Sequence, residues 1–197
     1  MNGVTISQNG AVNKEAVQLF SALLALATLA GGLLTLLALA TGGRPGWAEA
    51  VLAQVRATGA WMICLITSGA MFGSLYFSEV AHFSPCKLCW YQRIAMYSIA
   101  IISFVAALRR DHSIARYTIV LAPLGLVVSI YHYLLEWYPN LETSVCSLDV
   151  PCTSIWFREF GFVTLCFMAG CAFIAVIAIS LALIRDSSEL NPSSQEN

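Results

Sequence analysis

Two cysteines three residues apart open the stretch CKLCWYQR, residues 86–93, and an arginine stands four residues after the second. Such a pair can be a disulfide clip, half of a metal site or a redox couple. Pro85 suits the start of a helix, which puts Cys86 near a first turn, where backbone N–H groups favour a thiolate. A disulfide at a helix start closes only with local strain, and strained or exposed disulfides are labile. Exchange therefore fits the pair better than a structural staple. Arg93 shares a helix face with Cys89, and an arginine at membrane depth is expensive without a task. Stabilising a thiolate, or an anion forming beside it, is such a task. The plainer readings are snorkelling or pairing with Glu79 or Glu136.

A second pair, Cys146 and Cys152, lies in the polar stretch TSVCSLDVPCTS. Outside the cytoplasm this pair is expected to be oxidised, as a loop staple or as a relay between a soluble partner and Cys86–Cys89. Four thiols in two loops on one face also fit a tetrathiolate zinc site. The gap in the second pair is wider than usual for that, and no metal is the expectation. Cys64, Cys166 and Cys171 stand in apolar segments, where free cysteine packs as a small hydrophobe; no chemistry is assigned to them. His132, in YHYLLEWYP, is either a packed histidine or a hydrogen-bond partner and proton donor for a bound carbonyl.

The elements that carry these residues are apolar. Of 197 residues, 58% are hydrophobic and 11% charged, against about 25% charged in soluble domains. Mean hydropathy is +0.74. The net charge of −1 argues against nucleic acid, which needs a basic surface. A spanning helix takes roughly 20 apolar residues, and five candidates are present: residues 16–40, 59–78, 90–108, 114–135 (with Pro123 as an expected kink) and 160–184. The first is too long for the apolar core of a signal peptide, about 7 to 15 residues, and is read as a helix. The tail from 185 is polar and expected to be disordered.

Six of the ten Lys and Arg residues lie on one side: Arg44, Arg56, Arg109, Arg110, Arg116 and Arg185. Their bias places that side in the cytoplasm, with the N-terminus and both polar cysteine segments outside. Aromatic residues cluster near the proposed outer interface, including Phe77, Phe83, Trp90, Tyr133, Trp137 and Trp156. The plain reading is an interfacial belt; the sharper one is that some line a pocket for a flat apolar ring.

The motifs CKLCWYQR, YHYLLEWYP and CSLDVPCTSIWFREFGFVT resemble the DsbB family of disulfide-generating membrane proteins, nearest its short-loop, BdbC-like branch. The match in order and spacing runs from about residue 60 to 184. The resemblance implies an all-α membrane protein with a four-helix transmembrane bundle at 59–184, here preceded by an additional N-terminal transmembrane helix within 1–58 and followed by a polar tail at 185–197. It implies a thiol:quinone oxidoreductase of the bacterial cytoplasmic membrane. Such a protein reoxidises an extracytoplasmic, DsbA-like thioredoxin-fold partner and passes electrons to ubiquinone or menaquinone. By motif, Cys86 and Cys89 are the quinone-proximal pair, Arg93 and His132 the quinone-site residues, and Cys146 and Cys152 the pair that meets the partner. The extra first helix departs from the family core. Two other classes share parts of the pattern. A vitamin K epoxide reductase-like enzyme usually carries its loop pair before the Cys-x-x-Cys, and here it follows. A non-enzymatic metal-binding membrane protein would use the cysteines as ligands or staples. A transporter is disfavoured by the scarcity of intramembrane charge.

Overall fold

The computed structural model describes residues 3–142, 146 and 150–190. It is an all-α membrane protein of five long helices: α1 (Gly3–Ala40), α2 (Gly46–Leu75), α3 (Lys87–Arg109), α4 (Ala115–Trp137) and α5 (Leu165–Leu190). All five contain a segment long and apolar enough to cross a membrane. Among the described residues there is no strand, only an isolated antiparallel bridge between Glu159 and Val163.

Helices α2 to α5 close a bundle through the α2–α3, α3–α4, α4–α5 and α2–α5 contacts, and α1 packs outside it against α5 and α2. The inward faces follow helical spacing. On α4 they are Ala115, Thr118, Ala122, Gly125, Ser129 and His132, then Leu135 and Glu136, three and four residues on from His132, a spacing that keeps one face inward. Small and hydroxyl residues dominate that face, as membrane helices that approach closely require. Thr118 Oγ1 lies 2.7 Å from Ser180 Oγ, and Thr67 Oγ1 lies 3.3 Å from Ser103 Oγ. These buried pairs tie α4 to α5 and α2 to α3.

The helix ends differ from the hydropathy reading in two informative places. Residues 41–58, expected as a loop, are mostly the start of α2, which begins after Pro45. That first stretch is amphipathic, and Arg56 pairs with Glu49 at 2.7 Å and with Asp186 at 3.0 Å. A hydropathy window sees only the apolar part of a helix that continues past the membrane. At the other end, α5 starts at Leu165 rather than near Phe160. Phe160 and Gly161 take φ values of 52° and 79°, a left-handed turn that helices exclude. α4 continues through Pro123 as one helix. Likewise α5 runs to Leu190 into the segment expected to be disordered, and residues 191–197 lie outside the described residues.

Gly125 of α4 approaches Phe173 of α5 closely, and an added Cβ would sit inside the contact distance of the fully buried Phe173 ring. Gly125→Ala is therefore expected to destabilise the bundle by about 1–3 kcal/mol, the usual range for overpacking. Adding Phe173→Leu should return part of the loss. Thermal unfolding in detergent checks this, and an unchanged Tm for Gly125→Ala contradicts the α4–α5 packing.

Candidate functional site

The chain reaches the third bundle helix through an extended Cys86, whose φ and ψ are −76° and 175°. That backbone makes Cys86 the N-cap of α3, and its sulfur accepts the Cys89 N–H at 3.4 Å. The two sulfurs lie 3.1 Å apart, so one turn of helix holds the pair as a dithiol in contact. Cys86 is 5% exposed and Cys89 is partly buried.

His132 reaches the pair from α4. Gln92 Nε2 donates to His132 Nδ1 at 3.3 Å. This leaves Nε2 as the ring's donor, 3.5 Å from Cys86 Sγ and 3.1 Å from the Cys152 carbonyl oxygen. The hydrogen bond from the Cys89 thiol lowers the Cys86 pKa from 9.0 to about 4, with His132 adding to it and burial opposing it. Donors aimed at one sulfur stabilise its thiolate, which is the reactive form.

Cys146 and Cys152 are joined in a disulfide with a Cα–Cα separation of 5.8 Å. Cys152 has no exposed surface and packs in a small apolar cluster with Cys86, Leu88 and Leu135. Cys146 is partly buried at the edge of that cluster. Of the two sulfurs, Cys146 is thus the more accessible to an incoming thiol, and Cys152 is the one beside Cys86.

Two spaces meet at these residues. The first is a cleft of about 20 Å³, room for roughly one water. Cys86, Cys89, His132, Glu136, Cys166 and Trp156 are among its lining. The second is a cavity of about 390 Å³ between α1, α2, α3 and α5, within the range of small-molecule sites. Cys89 lines both. Arg93 lines only the cavity; its Nε and Nη2 donate to Ser74 Oγ at 2.9 Å and Ser74 O at 3.0 Å, and its guanidinium lies 5.4 Å from the Trp90 ring centroid. It forms no ion pair with Glu79 or Glu136. His132 belongs to the cleft and not to the cavity lining, so the two expected quinone-site residues are separated. Part of the aromatic cluster serves as pocket wall. Phe83 stacks on Trp156 at 4.9 Å and on Phe77 at 5.8 Å, and all three line the cavity.

Three residues here had no part in the chemistry expected from the sequence, where Glu136 stood only as a candidate partner of Arg93. Gln92 sets the His132 ring. Glu136, 8% exposed, accepts a hydrogen bond at 2.9 Å from the Cys166 thiol, while its second oxygen has no partner. Cys166 therefore lines the cleft rather than merely packing. The i, i+3 step from Cys89 to Gln92 and the i, i+4 step from His132 to Glu136 were signals that could have found two of them. The ligand atoms of Cys86, Cys89 and His132 lie within 4.8 Å of one another, so a metal could be held there by three donors, though not by the four thiolates first considered.

A dithiol at a helix mouth, a disulfide beside it and five membrane-length helices define a membrane thiol–disulfide protein. The family model described as "Disulfide bond formation protein DsbB" matches residues 56–195. This chain belongs to that family and has a role in membrane disulfide-bond formation. It is 42% identical over 129 residues to "Probable disulfide formation protein C" of Halalkalibacterium halodurans, covering 65% of this chain and 92% of that protein. It is 41% identical over 130 residues to "Disulfide bond formation protein C" of Bacillus subtilis, covering 66% and 92%. No solved structure matches.

The geometry predicts a pH dependence. With Cys86 lowered to about 4, the thiolate of the reduced pair persists from neutral pH down to that value and is lost below it. Cys89→Ala removes the largest stabilising donor, so the thiolate should then form only at markedly higher pH. Thiolate ultraviolet absorbance against pH, in protein carrying Cys64, Cys166 and Cys171 as serines, reads this directly. A variant titrating as the wild type contradicts the assignment.

Proposed function

We propose that this protein is a thiol:quinone oxidoreductase that reoxidises a soluble thioredoxin-fold, DsbA-like dithiol and delivers its electrons to a membrane quinone. The observation that carries the reading is that Cys89 lines both the cleft it shares with Cys86 and His132 and the apolar cavity holding Arg93. The arginine bias supports placing the cysteine end on the extracytoplasmic side of a bacterial cytoplasmic membrane.

The partner's thiolate attacks Cys146, the accessible sulfur, forming a mixed disulfide and releasing Cys152 as thiolate. The partner's second thiol then attacks its own sulfur in the mixed disulfide, leaving as oxidised partner and freeing Cys146. The two loop thiols next exchange with a Cys86–Cys89 disulfide. Attack at Cys86 is favoured by its packing against Cys152 and releases Cys89. Closure of Cys146–Cys152 completes the exchange and leaves the Cys86–Cys89 dithiol of the structure. A quinone bound in the cavity supplies an acceptor for two electrons and two protons. Those equal what the partner's dithiol loses in becoming a disulfide, so the sum balances without another reactant. Re-formation of Cys86–Cys89 releases the pair of electrons on the cavity side, where Arg93 offers a positive charge to stabilise developing negative charge. His132, hydrogen-bonded to Cys86 and to the Cys152 carbonyl, holds the two pairs in register and can pass a proton within the cleft.

Zinc bound by Cys86, Cys89 and His132 is the competing reading, and their spacing is its support. Stoichiometric zinc in purified protein whose thiols ignore a disulfide partner would replace the redox reading.

Arg93→Ala should raise the KM for quinone roughly tenfold or more, the scale of a lost charge-assisted hydrogen bond. Mixed-disulfide formation with the partner should be unchanged. Cys146→Ser should abolish partner oxidation. Steady-state kinetics with a reduced thioredoxin-fold dithiol protein test both, and an unchanged quinone KM or normal partner turnover contradicts the respective role.

A further inference from the structure

The residues matched by the family model begin at 56, so α1 (Gly3–Ala40) lies outside them. It nevertheless forms part of the cavity. Ser21, Leu24, Ala25 and Thr28 of α1 line the same space as Cys89 and Arg93. α1 packs on α5 and α2, and those two helices also touch each other, so α1 covers their seam.

The packing is anchored deeper in the helix. A Cβ added at Gly32 would lie 2.9 Å from Ala175 Cα, which means α1 and α5 meet backbone to backbone, as small residues permit in a membrane. Toward the cysteine end of that contact, both helices turn residues to the cavity: Ala25 and Thr28 from α1, and Met168 and Ala172 from α5. The rim is open. Leu24 and Leu65 line the cavity while 52% and 69% exposed, on a surface that faces lipid.

We propose that α1 is the outer wall of the acceptor cavity and sets which quinone it admits from the bilayer and how tightly it holds it. This rests on the quinone reading above. Ala25 stands at a position where a larger side chain fills the space directly, because it is buried and lines the cavity. Ser21 and Thr28 add hydroxyls to an otherwise apolar wall, which gives α1 the means to discriminate between ring substituents as well as sizes.

The test uses the full-length protein in nanodiscs, titrated with a short-tail ubiquinone and a short-tail menaquinone. Binding is read by quenching of tryptophan fluorescence, and turnover by quinone reduction driven by a reduced thioredoxin-fold dithiol protein. Ala25→Leu is expected to weaken binding of at least one quinone, and to raise its KM, by roughly tenfold or more, the scale of a methylene-sized change in an apolar pocket. Exchange at Cys146–Cys152 should keep its wild-type rate. Leu23→Ala, an exposed α1 residue outside the lining, should behave as wild type. If Ala25→Leu loses thiol exchange as well, Leu24→Ala, which only removes atoms from the wall, decides instead by changing or keeping the ratio of the two affinities. Unchanged binding of both quinones, with an active wild type, overturns the role of α1 alone. A wild type that binds and reduces neither quinone overturns the quinone reading and this proposal with it.

Discussion

A thiolate at the mouth of an apolar bundle is the constraint around which the rest of the protein is arranged. An anion that is 5% exposed is tolerated only if donors replace the water it has lost. Cys86 has them because it caps α3. The Cys89 N–H and His132 Nε2 converge on its sulfur, and the Cys89 sulfur lies 3.1 Å away and lowers its pKa. Each donor has a structural antecedent: the extended backbone at residue 86, the single turn to Cys89, and the Gln92 amide that orients His132 from across the bundle. Moving α4 relative to α3 would break the His132 contacts, so the interhelical packing below the site serves the chemistry above it.

In the proposed mechanism the same arrangement separates two tasks that need different surroundings. Disulfide exchange needs a reactive thiol and a proton path, and the small cleft places His132 and Glu136 beside Cys86 and Cys89. Accepting an apolar ring needs volume, aromatic walls and one cation, and the larger cavity has Phe77, Phe83, Trp156 and Arg93. Cys89 stands on the boundary. Ser84, Trp156 and Leu165 line both spaces with it, and of these four residues only Cys89 carries a thiol.

Much of this was legible in the chain. The spacing Cys86, Cys89, Arg93 behind Pro85 fixes their relation, because one helix determines all of it. Five apolar stretches announced five membrane helices, with the first outside the four-helix core, as the packing has it. What failed to show were relations between helices. Hydropathy does not encode rotation about an axis, so the Gln92–His132 bond, the Glu136–Cys166 bond and the separation of His132 from the Arg93 cavity were invisible. The start of α2 at Gly46 was missed for a simpler reason, since a helix leaving the membrane becomes amphipathic and its ion pairs lie with residues as distant as Asp186. The contribution of α1 to the cavity depends on the Gly32–Ala175 contact, which no local pattern marks.

In the proposed mechanism Cys89 is the residue that connects thiol exchange to the membrane. The most direct measurement is anaerobic quinone reduction by the purified protein, driven by a reduced thioredoxin-fold dithiol protein, beside a Cys89→Ser variant. The wild type is expected to reduce quinone in step with oxidation of the dithiol. The variant should still form a mixed disulfide at Cys146 yet reduce none. Quinone reduction by the variant at the wild-type rate, or a wild type inert toward ubiquinone and menaquinone alike, would contradict it.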